Sequence, residues 1–333
     1  QSGHRPQHSL DAPVPGTPMQ SFIFAAPRPS YDRSSFPGQL CWLPWDKGAR
    51  PGALEPSRAK ARGGCVAACA DCVHAGGGKD AATCCDGRPA DLLPCLWFQG
   101  TISSTVIMYF HANAEDLGVI HESMHLLHEQ FHASVLAVEY PGYGLLKECQ
   151  ASEEGCYCAA MVALRYLVSE MGVSYSQILI LGRSMGSGPA LFLASKFDVA
   201  GLVLLNAFTS VCDVAQKYIG KNLAQFSFGD LFVNKLMVQN VTCPVLFIHA
   251  IRDVTVPMLH SATLFKLCKA KKLLVTPDRM QHNSNLFDRP EFFVLPTIRF
   301  FRFLCHPGSA PKMPRKVFKP PEPLALVPQE LAL

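Results

Sequence analysis

From Thr101 to Leu304 the chain alternates short apolar runs with stretches of helical spacing, and this alternation limits its possible folds more than any other feature. Val106-Ile107-Met108-Tyr109-Phe110 and Ser134-Val135-Leu136-Ala137-Val138 have the length of strands and almost no polar face. Further strand-sized runs lie at Gln177 to Leu181, Gly201 to Leu205, Pro244 to His249 and Leu273 to Val275. Helical spacing is read from Val119 to Phe131, Glu153 to Met171, Ser187 to Lys196, Leu259 to Cys268 and Pro290 to Leu304. A strand that is apolar on both faces must be covered on both sides, and strands separated by helices run parallel. The expected fold class is therefore α/β, a mostly parallel central sheet flanked by helices on both faces, spanning residues 101–305.

Composition bounds the rest. The chain has 333 residues, 49% hydrophobic and 17% charged. The charged fraction lies below the roughly 25% of an average soluble protein, which excludes wholesale disorder. A net charge of +4 is too small a surplus to suggest a nucleic-acid partner. No apolar run approaches the ~18 residues that span a bilayer, so no transmembrane anchor is expected. The opening Gln1-Ser2-Gly3-His4 has neither an initiator Met nor a signal pattern, and reads as a fragment or a processed chain. With no visible secretory signal, the cysteines are expected to be mostly reduced and the protein to face the cytosol as a monomer. Residues 1–100 read as an irregular N-terminal region holding the early strands and a Cys-rich insert (63–86). Residues 306–333, with seven prolines, read as a solvated tail, and partner docking is the minor alternative.

The segment with clear chemistry is Gly182-Arg183-Ser184-Met185-Gly186, between the strand ending at Leu181 and the helix that begins near Ser187. A serine on a sharp strand-to-helix turn is lifted to the sheet edge, and glycines two residues to either side leave room for neighbouring backbone. A hydroxyl is a weak nucleophile and needs a general base with a group to orient it, in the chain order serine, acid, histidine. Asp253 follows the strand Pro244 to His249, and His282 follows the strand Leu273 to Val275, so both are expected at the edge that carries Ser184. His260 falls within a helix, His249 ends a strand, and Asp278 is only four residues before His282, which makes each a weaker candidate. The alternative for Asp253 is a loop acid capping the helix near Leu259. Acyl transfer also needs donors for the developing oxyanion. The N–H of Met185 is one, and the loop His111-Ala112-Asn113-Ala114 is expected to give the other from Asn113, with Ala114 as its neighbour in contention. Asp116 or Asn113 is also placed to cap the following helix.

With these residues the chain resembles the serine α/β hydrolases, and more narrowly the α/β-hydrolase-domain-containing branch that includes protein depalmitoylases. The matching stretches are His111 to Gly118, Tyr140-Pro141-Gly142-Tyr143-Gly144, Gly182 to Pro189, Ala207-Phe208-Thr209-Ser210, His249 to Asp253 and His282-Asn283. Upstream, Phe24 to Tyr31 resembles the proline-rich entry before the first strand. The resemblance implies an α/β-hydrolase fold and a serine hydrolase acting through an acyl-enzyme on Ser184, with no cofactor and no metal. Protein S-acyl thioesters are the implied substrates, and a lipid or small-molecule carboxylesterase or a non-catalytic scaffold are the alternatives. Ala112 stands where the family usually has Gly, and Leu145-Leu146 where a small polar residue and Gly are usual. The segment Val211 to Gln239 is expected to form a cap, with Phe226, Phe228, Leu231 and Phe232 either lining an acyl channel or packing on the core.

Seven of the fourteen cysteines fall between Cys41 and Cys95. Cys65, Cys69, Cys72, Cys84 and Cys85, with His74 nearby, make a structural zinc module the minor alternative, although their spacing does not follow the paired C-x2-C hooks of common zinc modules. S-acylation, as implied by the resembled depalmitoylases, would hold the protein peripherally on membranes, aided by Arg58, Lys60 and Arg62. Free thiols in an insert are the equal alternative.

Overall fold

The computed structural model describes residues 23–45, 92–228, 230–302 and 308–321. The five clustered cysteines from Cys65 to Cys85 lie outside the described residues.

Eight strands form one sheet: β1 (Leu40–Pro44), β2 (Leu92–Phe98), β3 (Val106–Phe110), β4 (Ser134–Val138), β5 (Ile178–Arg183), β6 (Gly201–Leu205), β7 (Val245–Ile248) and β8 (Lys272–Val275). Their order is β1-β2-β4-β3-β5-β6-β7-β8, with β2 antiparallel to both neighbours and every later pairing parallel. The sheet therefore begins at Leu40, upstream of the boundary expected at Thr101. β2 carries Pro94, which reads as a break in sequence. The bond from Trp97 N to Gln39 O makes Trp42 and Pro94 a non-hydrogen-bonded pair across β1 and β2. The missing N–H of Pro94 then faces the end of the β2–β4 ladder, where it interrupts little.

Alternation along the strands sends side chains to two cores. Val106, Met108, Phe110, Ile178, Ile180, Leu202, Leu204, Val245 and Phe247 face one side. That side is covered by α2 (Glu153–Arg165), α3 (Ser187–Ala194) and α7 (Leu259–Leu267). Ile107, Tyr109, Leu179, Leu181, Val203, Leu205, Leu246 and Ile248 face the other, under α1 (Leu117–Phe131) and α8 (Val294–Phe300). On α1 the buried residues Leu117, Ile120, Met124, Leu127 and Phe131 keep three- and four-residue spacing, and Asp116 caps its N-terminus by accepting from Val119 N at 3.0 Å. The helix read through to Met171 loosens at Tyr166–Glu170 into a wider turn, and Gly172, at φ 69°, ends it.

Between β6 and β7 the cap segment forms α4 (Val211–Ile219), α5 (Lys221–Phe228) and the short α6 (Asn234–Met237). Its apolar residues divide. Phe232 is fully buried against Phe24, Tyr157 and Phe208, Leu231 packs on the core, and Phe226 is 86% exposed. The three therefore do not share one environment. Phe232 is fixed through its backbone, because Glu153 Oε1 accepts from Phe232 N at 2.9 Å and from the Tyr157 hydroxyl at 2.6 Å. Leu146, expected beside the site, is likewise in the core.

The expected solvated tail is corrected as far as Pro321. Gly308 N donates to Ile102 O, Gln99 Nε2 donates to Pro311 O, and Met313 and Val317 are buried beside the first core. Apolar side chains that leave water here explain why a Pro-rich segment stays down on the sheet. Val317→Asp is expected to lower the free energy of unfolding by about 2 kcal/mol in urea denaturation. A merely solvated tail would give a change within ~0.5 kcal/mol.

Candidate active site

Parallel register brings the C-terminal ends of β3, β5, β6, β7 and β8 to one edge, and the loops that follow them meet there. Ser184 directly follows β5 at φ 49°, a left-handed conformation that a residue with a Cβ adopts only at a cost of ~1–3 kcal/mol. The turn is tight enough that a Cβ on Gly186 would overlap Phe110 O, and one on Gly182 would overlap Gly186 O. Both glycines are therefore required by close packing of the elbow on the end of β3.

Ser184 Oγ lies 3.1 Å from His282 Nε2, and His282 Nδ1 lies 2.6 Å from Asp253 Oδ2. An ionised carboxylate only accepts, so Nδ1 carries the proton and Nε2 is left to accept from the serine. Asp253 does not cap the helix near Leu259. Its Oδ1 accepts from Thr255 N at 2.9 Å and Val256 N at 2.8 Å, which fixes the carboxylate in its own turn. Burial would raise its pKa, but the hydrogen bond and charge of His282 and the bond from Val256 N outweigh burial and hold it below the usual carboxylate range. His249 is held by its own bonds, apart from Ser184 and His282. Its Nε2 donates to Val256 O at 2.8 Å, its Nδ1 lies 2.7 Å from Ser261 Oγ, and burial lowers its pKa. His260 Nδ1 contacts the Thr209 hydroxyl at 2.9 Å, within the base of the cap.

The His111 to Ala114 loop, expected from the sequence to offer an oxyanion donor, separates the two N–H groups left open there. Ala112 N donates to Glu115 Oε2 at 2.9 Å and Ala114 N to Asn113 Oδ1 at 3.1 Å, so the Asn113 N–H is the loop's free donor among the described residues. Met185 N lies in the first turn after the elbow, where backbone N–H groups lack intrahelical acceptors. The Asn113 carboxamide is occupied on both sides. Its Nδ2 donates to Ile23 O at 2.6 Å, and its Oδ1 accepts from Ala25 N at 2.9 Å and the Tyr143 hydroxyl at 2.6 Å. The same hydroxyl lies 3.6 Å from Met185 Sδ, so Tyr143 touches both residues that offer these N–H groups. Burial pushes the phenol well up in pKa and keeps it a donor.

Three further residues act here that sequence reasoning missed. Arg183 Nη2 donates to the carbonyls of His282 and Ser284, each at 3.1 Å, and Nη1 lies 3.7 Å from Glu115 Oε1. Asn206, at φ 48° after β6, donates to His282 O at 3.1 Å and accepts from Ala250 N at 3.0 Å. Glu115, through Ala112 N and Arg183, ties the His111 to Ala114 loop to the histidine loop. For Arg183 and Asn206 the sequence signal was a charge or amide at the end of an apolar strand, and Glu115 has no such mark. Beneath this layer His111 Nε2 lies 3.0 Å from Glu139 Oε1, while Glu139 Oε2 accepts from the Tyr31 hydroxyl at 2.8 Å. Among the described residues no group of three or more His, Cys, Asp or Glu side chains is placed to hold a metal ion.

No protein-family model matches the chain. Over 166 residues it is 31% identical to the alpha/beta hydrolase domain-containing protein aho-3 of Caenorhabditis elegans, covering 50% of this chain and 48% of that protein. Over 206 residues it is 29% identical to the alpha/beta hydrolase domain-containing protein 17B of Xenopus laevis, covering 60% and 69%. The chain thus spans about half the length of the nematode relative and about two thirds of the frog one. Two solved structures share the fold at low identity. A Mycobacterium tuberculosis puromycin-hydrolyzing peptidase has a TM-score of 0.52 at 14% identity, covering 68% of this chain and 39% of that one. An acetyl xylan esterase from Paenibacillus sp. R4 has a TM-score of 0.50 at 15% identity, covering 66% and 81%.

Two outcomes follow from this geometry. Tyr143→Phe keeps the ring but removes the hydroxyl's bond to Asn113 Oδ1, leaving that oxygen the backbone donors Ala25 N and Ala114 N, and kcat on a soluble ester is expected to fall about tenfold with KM little changed. An equal fall in kcat and rise in KM would contradict this role. For His111, burial lowers the pKa, but the hydrogen bond and charge of Glu139 outweigh it and raise the pKa. A raised folded pKa adds stability that is full below about pH 6.5 and is lost as pH rises through the folded value. Unfolding measured from pH ~6 to ~9 should show this decline in the wild type and a flatter profile in Glu139→Gln.

Proposed function

We propose that this chain, a member of the serine α/β-hydrolase superfamily, hydrolyses esters or thioesters through an acyl-enzyme on Ser184, and that its substrates are S-acylated proteins. The hydrogen-bonded series Ser184, His282, Asp253 on the strained elbow carries this reading. In the first step His282 Nε2 takes the Ser184 proton as Oγ bonds to the acyl carbon. The carbonyl electron pair moves to oxygen, between the N–H groups of Asn113 and Met185. As the C–S bond breaks, His282 returns the proton to the departing thiolate, which leaves as a cysteine thiol. Water then attacks the serine ester as His282 accepts a proton from it, and on collapse of the second oxyanion the C–Oγ bond breaks and His282 returns that proton to Oγ, which releases a fatty acid and restores Ser184. Asp253 keeps the imidazole in the required tautomer and stabilises its cation throughout.

The choice of thioester rests on the resemblance of the Ser184, Asn113, Tyr143 and His282 segments to the depalmitoylase branch. The sequence relatives carry only the α/β hydrolase designation. Peripheral attachment through acylated cysteines belongs to the same reading and concerns residues outside those described. No helix among the described residues is long and apolar enough to cross a membrane.

A fluorophosphonate probe is expected to label the wild type and not Ser184→Ala. Turnover in that variant should fall by a factor on the order of 10⁴ or more. Across thioesters and oxyesters of rising chain length, long-chain thioesters should give the highest kcat/KM. Preference for short oxyesters would replace the proposed substrate with a carboxylesterase substrate, and absence of Ser184-dependent labelling would remove the hydrolase itself.

A further inference from the structure

Twelve large apolar side chains are substantially exposed among the described residues, and eight of them fall between Tyr218 and Leu259. They are not scattered over the sheet's helical cover. Tyr218, Ile219, Leu223 and Phe226 lie on α4 and α5 of the cap, while Ile251, Val254 and Leu259 lie around the loop that carries Asp253. The two groups meet, because the Tyr218 hydroxyl donates to Thr255 O at 3.0 Å and Lys217 Nζ donates to Val254 O at 2.6 Å. The apolar rim thus adjoins the acid of the triad, at the sheet edge that bears Ser184. Phe226 is 86% exposed and Val254 78%, far from the usual state of such residues.

Charge on this face carries a positive surplus. Asp213 is paired with Lys235 at 2.9 Å, and Asp253 is turned inward to His282. Lys217, Lys221 and Arg252 remain on the cap and acid loop against Asp230. Short helices with aromatic and aliphatic residues on one face and lysines beside them fit the boundary between acyl chains and anionic headgroups.

From this we infer that the cap face of α4 and α5, with the Val254 loop, docks on an anionic lipid surface and turns the Ser184 edge toward it. The inference extends the proposed S-acyl hydrolase reading, since a thioester carried on a membrane protein would then be met at the headgroup level. It assigns the membrane contact to the folded core, independently of any acyl group on the cysteines.

The test is sedimentation of full-length Ser184→Ala protein, treated with hydroxylamine to remove thioester-linked acyl groups, with phosphatidylcholine vesicles that contain or lack phosphatidylserine. Binding is expected with phosphatidylserine, weakening as salt rises. It should fall by about tenfold or more in Leu223→Ser/Phe226→Ser, because two exposed apolar groups lose their burial in lipid. The same pair of substitutions in the Ser184 background should leave the melting temperature and fluorophosphonate labelling unchanged. Equal sedimentation of variant and parent, no sedimentation with either vesicle, or a dimer in solution that the two substitutions dissociate would each overturn the inference. Vesicle binding in Ser184→Ala needs no turnover, so loss of the hydrolase reading would leave this result standing, and the reverse also holds.

Discussion

The contact between Gly186 and the carbonyl of Phe110 is the constraint on which the site depends. It allows the elbow after β5 to lie flat on the end of β3, and so sets Ser184 beside the His111 to Ala114 loop. A left-handed serine is costly by itself. It persists because the surroundings leave no alternative: β5 is paired on both sides, α3 is buried along its length, and the Ser187 hydroxyl returns a bond to Ser184 O at 2.6 Å. Strain at one residue is thus offset by packing distributed over two strands and a helix.

Around that contact, each reactive side chain is held by a second polar group. The histidine loop is fixed through its own carbonyl by Arg183 and Asn206, and Arg183 continues through Glu115 into the His111 to Ala114 loop. On the opposite side, the N-terminal segment joins in. Ile23 and Ala25 hold Asn113, Ser30 bonds Asp116 through both its N–H and hydroxyl, and Tyr31 reaches Glu139. The proline-rich entry is therefore part of the active-site support, not a leader to the first strand alone. Buried polar groups that are fully partnered specify one geometry, and these are partnered by backbone as often as by side chains.

The sheet from β3 onward was legible because its strands are apolar on both faces, a pattern that allows only a covered parallel sheet. Ser184, Asp253 and His282 could be selected because chain order and strand ends constrain them strongly, and the structure brings these three within hydrogen-bonding distance. β2 was hidden by Pro94, whose cost vanishes only once its neighbours are known. The buried Met313 and Val317 were hidden by the prolines around them, since composition records average solvation and not the two positions that pack. Arg183, Asn206 and Glu115 were hidden for another reason: their function is to bond backbone carbonyls and amides of distant loops, and no local pattern encodes such pairing. Phe226 and Phe232 show the same limit, since equal residues six positions apart have opposite environments.

If covalent chemistry passes through Ser184, rapid mixing of the protein with a chromogenic long-chain acyl ester, quenched in acid and followed by peptide mass analysis, will show it. The expected result is a burst that approaches one equivalent of leaving group and an acyl mass on the peptide containing Ser184. An acyl mass found only on a cysteine, or turnover with no covalent species on Ser184 and no burst, would rule out the serine acyl-enzyme.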